Sequence, residues 1–95
     1  MEDSDIAAET VVSPMDNACA AISEHFGLSE REREVLLLLA RGHSRAYIRD
    51  ALFISKNTIA THARHIYQKT GTHSQQELIV LVEGYSSHQN ARSNP

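Results

Sequence analysis

The stretch that decides the fold is SRAYIRDALFISKNTIATHARHIYQKTG, residues 44–71. Ser44 predicts the start of a short helix, because a serine hydroxyl at an N-cap accepts a backbone N–H that the helix leaves unpaired. Ser55 predicts a second N-cap, and residues 53–54 form the connection between the two helices. The stretch therefore predicts two consecutive helices joined by a tight turn.

The second of these helices, residues 55–70, has one apolar side. Ile59, Ala63 and Ile66 recur at i, i+4 and i+7, which predicts a buried stripe, and Gly71 predicts the helix end. A short helix, a tight connection and a longer helix with a polar outer face are the layout of a helix-turn-helix. In that motif the second helix lies in the major groove of DNA.

The polar side of the second helix carries the side-chain types that read bases: Asn57, Thr61, Arg64 and Gln68. Arginine pairs with guanine, asparagine and glutamine pair with adenine, and threonine contacts several base edges. We therefore predict that these four residues contact bases. The alternative is an ordinary solvated helix face.

The charge is divided unevenly along the chain, whose net charge is −3. Residues 41–70 contain six bases and one acid, a local charge of +5, whereas residues 1–27 contain six acids and neither lysine nor arginine. Salt screens charges beyond about 8–10 Å, so the local charge governs attraction to phosphate. The net acidity does not exclude a nucleic-acid partner.

Three further helices flank the decisive stretch. The Ser13-Pro14 pair predicts a start for a helix over residues 13–26, and Ser29 with Glu32 forms a capping box for a helix over residues 29–41. A second capping box, Ser74-Gln75-Gln76-Glu77, opens a last helix that we expect to end near Gly84. The fold class is therefore all-α.

The two ends of the chain carry no helical pattern. Residues 1–12 are acidic and are predicted to be a disordered arm or linker, and residues 85–95 are predicted to be a flexible tail.

Several function classes lack their sequence signals. Cys19 is the single cysteine, which excludes an internal disulfide and is more consistent with a small buried residue than with a nucleophile. His62 and His65 could share a metal, but no carboxylate or cysteine lies near them in sequence. No apolar run is long enough to span a membrane, and the acidic N-terminus is unlike a secretory signal. We expect a cytoplasmic, non-enzymatic protein with no cofactor, no metal and no direct membrane contact.

The chain resembles the LuxR-type (FixJ/NarL-type) helix-turn-helix over about residues 28–84, without gaps. The matching residues are Leu28-Ser29, Arg31-Glu32, Glu34-Val35-Leu36, Leu39-Ala40, Gly42, Ser44, Ile48, Leu52, Ile54-Ser55, Thr58-Ile59, His62, Ile66-Tyr67, Lys69, Gly71 and Ser74. The resemblance implies a four-helix domain, to which residues 13–26 add an N-terminal helix. It also implies that the domain binds duplex DNA as the output of a bacterial transcriptional regulator and forms a homodimer through its last helix.

The resemblance also assigns individual residues. Thr61 and Arg64 match positions that face base edges, and Thr58 matches a position at the phosphate backbone. We expect the full set of phosphate contacts to be Ser55, Lys56, Thr58, Arg45, Arg49, His65 and Lys69.

The last helix carries an apolar run, residues 78–82, that covers more than one of its faces. A second contact is therefore expected, and a symmetric dimer would supply it. The predicted dimer residues are Gln75, Ile79, Val82 and Glu83. The alternative is burial of this run beneath the helix over residues 13–26.

Three departures separate the chain from the family pattern. Ala60 stands where the family usually has lysine, Arg45-Ala46-Tyr47 replaces the usual Asn-Lys-Glu, and Gln75 replaces an arginine. The loss of lysine at Ala60 motivates a second hypothesis, an interaction or dimerisation module that keeps the fold but binds DNA weakly or not at all. Family members are commonly joined to a sensor domain, so residues 1–12 could be a linker from one or an autoinhibitory arm.

Overall fold

A computed structural model describes residues 13–92 of the chain, with side chains described through residue 86. The predicted arm over residues 1–12 lies outside the described residues, as do residues 93–95. The described part contains five helices and no strand, which confirms the all-α prediction. They are α1 (Pro14–Phe26), α2 (Glu30–Ala40), α3 (Arg45–Leu52), α4 (Lys56–Thr70) and α5 (Gln75–Arg92).

Each helix follows a serine, as predicted. The serine hydroxyl accepts the backbone N–H of the residue three positions on, at 3.0–3.1 Å in every case. The five N-caps are Ser13, Ser29, Ser44, Ser55 and Ser74. An N-cap of this kind is worth about 1 kcal/mol, so these serines fix where the helices begin.

The two predicted capping boxes have different outcomes. At Ser29 both halves form, because the Ser29 N–H donates back to Glu32 Oε1 at 3.0 Å. At Ser74 the reciprocal half is missing, because the Glu77 carboxylate accepts the backbone N–H of His73 at 2.8 Å instead. The second box was therefore predicted correctly only for its serine.

The helix ends show one error in the sequence prediction. Gly27 and Gly71 end α1 and α4 in the left-handed conformation, with φ of 74° and 73°. The predicted end of the last helix near Gly84 is wrong, because α5 continues to Arg92, so residues 85–92 are helical rather than a tail. Glycine inside a helix costs only about 1 kcal/mol, and Tyr85 packs against the core just beyond it.

The helix α2 is central to the packing. It contacts each of the other four helices, and α1 makes its most extensive contact with α5. The buried core takes residues from all five helices: Ala18, Cys19, Ile22, Val35, Leu36, Leu39, Ala40, Ile48, Ile59, Ala63, Ile66, Leu78 and Val82. The additional N-terminal helix is therefore an integral part of the core.

Cys19 lies in this core on α1 and is 1% exposed. Burial, with a further contribution from the charge of Asp16, raises the pKa of the Cys19 thiol to about 11. The thiol therefore remains protonated at neutral pH, as expected for a small apolar core residue.

Phe53, in the turn between α3 and α4, has an unfavourable backbone conformation. Its φ is 56° and its ψ is 46°, in the left-handed region, and its side chain is 94% exposed. The left-handed region costs a non-glycine residue about 1–2 kcal/mol, and an exposed side chain gains little packing in return.

We predict that Phe53→Gly raises the free energy of unfolding by about 0.5–1 kcal/mol, because glycine adopts this conformation without strain. Urea denaturation measures the change. Phe53→Ala is the matched control, since it removes the same side chain but retains the strain, and it should be nearly neutral. An equal gain from both substitutions would show that the backbone conformation is not the cause.

Candidate nucleic-acid interface

The helix α4 is held with one side in the core and the opposite side free. Ile59, Ala63 and Ile66 are at most 3% exposed, as the i, i+4, i+7 pattern predicts. The helix α3 directly precedes α4 and packs against it, so the two helices form the predicted helix-turn-helix pair.

The outward side of α4 presents the four predicted base-reading residues. Asn57, Arg64 and Gln68 are exposed, and Thr61 is half-buried. None of the ion pairs among residues 13–86 involves Arg64. Its guanidinium is therefore free to bind a ligand.

A wide cleft opens on this side of α4. Its volume is about 590 Å³, and it is lined by Arg45, Ala60, Arg64, Tyr67, Gln68, Gly71, Thr72 and His73. No acid lines it, although His73 pairs with Glu77 at 3.3 Å. The fold therefore brings Arg45, from the start of α3, to the same cleft as Arg64 and Gln68.

A second cleft of about 210 Å³ lies beside the first, between α3 and α4. Its basic lining residues are Arg45, Arg49 and Lys56, and its floor is formed by Ala46, Ile59 and Ala60. The structure thus brings together three of the residues predicted to contact phosphate, although they come from two helices.

The N-termini of α3 and α4 differ electrostatically from those of the other three described helices. Among the five described helices, α1, α2 and α5 carry an acid in the first turn, whereas α3 and α4 carry none. A first-turn acid offsets the partial positive charge at a helix N-terminus. The two N-termini of the helix-turn-helix therefore keep a positive potential that favours phosphate.

Two other predicted phosphate contacts, Ser55 and Thr58, are engaged in the cap of α4. The Ser55 hydroxyl donates to Thr58 Oγ1 at 2.9 Å and accepts the Thr58 N–H at 3.0 Å. Both residues lie at the start of α4, next to Lys56. The cap orders this end of the helix. Among the hydrogen bonds of the described residues, the Thr58 hydroxyl accepts from Ser55 but donates to no acceptor.

The other two predicted phosphate contacts, His65 and Lys69, face α2 rather than solvent alone. Lys69 Nζ donates to Glu32 Oε1 at 2.9 Å and to the Gly27 carbonyl at 3.2 Å, and His65 Nδ1 lies 3.1 Å from Glu32 Oε2. A phosphate would have to compete with the Glu32 carboxylate for both side chains. Their prediction as phosphate contacts overlooked this structural role.

Glu32 is almost fully buried, with a side chain 6% exposed. Burial alone raises the pKa of its carboxyl. The Ser29 N–H, Lys69 and His65, together with the charge of Lys69, outweigh that effect and lower the pKa from 4.5 to about 2. The carboxylate therefore stays charged at neutral pH and ties α4 to α2.

The predicted dimer residues are divided between the inside and the outside of α5. Val82 is 1% exposed and packs in the core, so its prediction as an interface residue is wrong. The Gln75 side-chain amide donates to the carbonyls of Leu39 and His43 at 3.0 Å each, and is therefore used within the protomer. Ile79 is half-buried and Glu83 is exposed.

Sequence reasoning missed two features of this site. One is the contact of Glu32 with Lys69, whose separation of 37 residues leaves no local signal. The other is the lining of the large cleft by Tyr67, Thr72 and His73. Tyr67 follows Arg64 at i+3, which is a helical spacing that could have placed it on the cleft side.

The family described as "Bacterial regulatory proteins, luxR family" matches residues 27–82, which is more than half of the chain. The chain belongs to the luxR family. The helix-turn-helix formed by α3 and α4, and the two clefts beside it, lie inside the matched residues.

Individual relatives of this luxR-family domain are also found. It is 42% identical over 52 residues to the protein named "Oxygen regulatory protein NreC" from Staphylococcus aureus strains JH9, JH1 and Mu3. The alignment covers 55% of this chain and 24% of each relative, so the chain matches about a quarter of their length. No solved structure matches the chain. None of the described helices is long and apolar enough to cross a lipid bilayer.

The buried Glu32 carboxylate yields a prediction about pH. Because its folded-state pKa of about 2 lies below the ordinary value of 4.5, the stability it contributes is fully present above pH 4.5 and is lost as the pH falls toward 2. We expect Glu32→Gln to lower the free energy of unfolding at pH 7 by about 3 kcal/mol. This difference from the wild type should shrink through the same pH range, and urea denaturation at a series of pH values measures it.

The matched control is Glu34→Gln, two positions along the same helix. Glu34 pairs with Arg31 at 2.8 Å, but both side chains are over 40% exposed. An exposed pair contributes less than about 1 kcal/mol, so the control should lose little. Equal losses in the two variants would contradict a special role for Glu32.

Proposed function

We propose that this domain binds duplex DNA with sequence preference, as the output domain of a transcriptional regulator in the bacterial cytoplasm, with α4 in the major groove. The observation that carries the proposal is the outward side of α4. Arg64, which forms no ion pair within residues 13–86, and exposed Gln68 share a cleft with Arg45 there, and no acid of the described residues lines that cleft. Membership of a family of bacterial regulatory proteins supports the same conclusion.

Contacts are divided between two groups of residues. Asn57, Thr61, Arg64 and Gln68 would contact base edges, because they occupy the face of α4 opposite the buried stripe. The phosphate contacts would come from the second cleft and the cap of α4: Arg45, Arg49, Lys56, Ser55 and Thr58. Such contacts supply much of the affinity, while base contacts supply the sequence preference.

A homodimer through α5 is part of the proposal, with its surface revised from Val82 to the outward side of the helix. Val80 is 56% exposed, and with Leu81, Gly84 and Tyr85 it lines an apolar cleft of about 390 Å³. A methyl group placed on Gly84 would meet nothing within 4 Å, so the protomer itself does not require glycine there. A glycine at this point would permit close approach of a second α5.

A dimer would place two copies of α4 in successive major grooves, about 34 Å apart, on an inverted repeat. A sensor domain in a longer parent chain stays a prediction from the family resemblance.

The first test is binding of the full chain to fluorescent duplex DNA, measured by anisotropy at several salt concentrations. We expect the affinity to fall steeply with salt, because each phosphate contact releases counterions. Arg64→Ala should weaken binding to a selected duplex by roughly 5- to 150-fold. Arg33→Ala is the control, because Arg33 lies outside both clefts and pairs with Glu30 at 3.8 Å.

The control should bind like the wild type. If the folded wild type does not bind duplex DNA even at low salt, the DNA-binding proposal fails. The alternative of an interaction or dimerisation module with the same fold then takes its place, and Ala60 becomes the first position to test by substitution with lysine.

The second test concerns the dimer. Val80→Glu should shift the protein toward the monomer in sedimentation velocity and weaken binding to an inverted repeat more than to a single half-site. Ala20→Glu adds the same charge at an exposed position of α1 and should leave the oligomeric state unchanged. A wild type that stays monomeric in the presence of an inverted repeat would contradict dimerisation through α5.

A further inference from the structure

Arg45 and Ala60 lie where the two clefts of the helix-turn-helix meet. Both residues line the cleft of about 590 Å³ and also the cleft of about 210 Å³ beside it. Arg45 belongs to α3 and Ala60 to α4, so the junction joins the two helices of the motif. The side chain of Ala60 is a single methyl group, which leaves space open between the two clefts.

The two arginines of α3 near this junction, Arg45 and Arg49, differ in their ion pairing. Arg45, like Arg64, takes part in none of the ion pairs formed within residues 13–86. Arg49 lines only the smaller cleft and lies 3.4 Å from Asp50 Oδ1. The two arginines of α3 therefore face different surroundings, although they are one helical turn apart.

We infer that Arg45 is a specificity-determining residue, which reads a base edge, guanine by its chemistry, in the major groove beside the base contacted by Arg64. This inference rests on the proposed function. It changes the role of Arg45 from a phosphate contact to a base contact and adds a base-reading side chain from α3 to those of α4.

The geometry supports a base contact for Arg45 in two ways. Arg45 shares the larger cleft with Arg64 and Gln68, which occupy the base-reading side of α4, whereas a residue that contacts only phosphate would be expected at the margin. Guanine recognition also needs room for a planar guanidinium to approach O6 and N7 side-on. The methyl group of Ala60 leaves that room, where a longer side chain would fill it.

The test selects the duplexes that the full chain binds from a random pool and compares the enriched sequences among variants. We expect the wild type to enrich a G·C pair at one position of each half-site. In Arg45→Ala, the preference for that G·C pair should fall roughly 5- to 150-fold. Arg45→Lys keeps the charge and should weaken the same preference, because lysine lacks the rigid planar fork of arginine.

Arg49→Ala is the matched control on the same helix. It should weaken binding to all sequences alike, leave the enriched sequence unchanged and reduce the slope of log affinity against log salt by about 1. Arg45 is well exposed, so the variants should fold normally, and a thermal melt checks this point.

Two outcomes overturn the inference in distinguishable ways. If Arg45→Ala enriches the wild-type sequence with unchanged preferences and a smaller salt slope, Arg45 is a phosphate contact; the inference is then wrong and the proposed function stands. If the wild type binds no duplex at low salt, the proposed function fails and the inference fails with it.

A second variant tests the role of the junction. Ala60→Leu should reduce the preference at the position that depends on Arg45, because leucine fills the shared floor. In the double variant the two losses at that position should not add, since they remove one contact. Additive losses would show that Ala60 and Arg45 act on separate contacts, and would contradict the inference that Ala60 makes room for Arg45.

Discussion

The buried carboxylate of Glu32 ties α4 to α2, and the position of α4 depends on this contact. A buried charge is tolerated only if it is paired and hydrogen-bonded, and here the Ser29 N–H, Lys69 and His65 together meet that requirement. Two of these three donors belong to α4. The pairing of this one buried acid on α2 therefore acts together with the buried stripe of Ile59, Ala63 and Ile66 to hold the inner side of α4 against the core.

The contacts of Glu32 with His65 and Lys69 give two sides of α4 different surroundings. The side that carries His65 and Lys69 is committed to α2, which leaves the other side to carry Arg64 and Gln68. The first turns of α3 and α4 lack acids, so nothing on these two helix ends opposes an approaching phosphate. Local positive charge on this surface thus coexists with a net charge of −3 for the chain.

The parts of this structure that were predictable from sequence are those with local causes. Ser29 and Ser55 predicted helix starts because a cap depends on residues within one turn, and Ile59, Ala63 and Ile66 predicted the buried stripe because helical periodicity is also local.

The errors have non-local causes. The apolar run in α5 did not reveal which of its faces α1 covers, so Val82 was placed outside although it is buried. The link between Glu32 and Lys69 joins residues on different helices, and no pattern within either helix encodes it. The extension of α5 past Gly84 depends on the packing of Tyr85 against the core, which helix propensity alone does not include.

The burial of Cys19 has a consequence for how motion in this domain can be followed. It is the single thiol of the chain, it lies between α1 and the rest of the core, and it is protonated at neutral pH. A thiol reagent therefore modifies only molecules in which α1 has moved away from the rest of the core. The rate of modification therefore reports how often this opening occurs, and the measurement needs no engineered label.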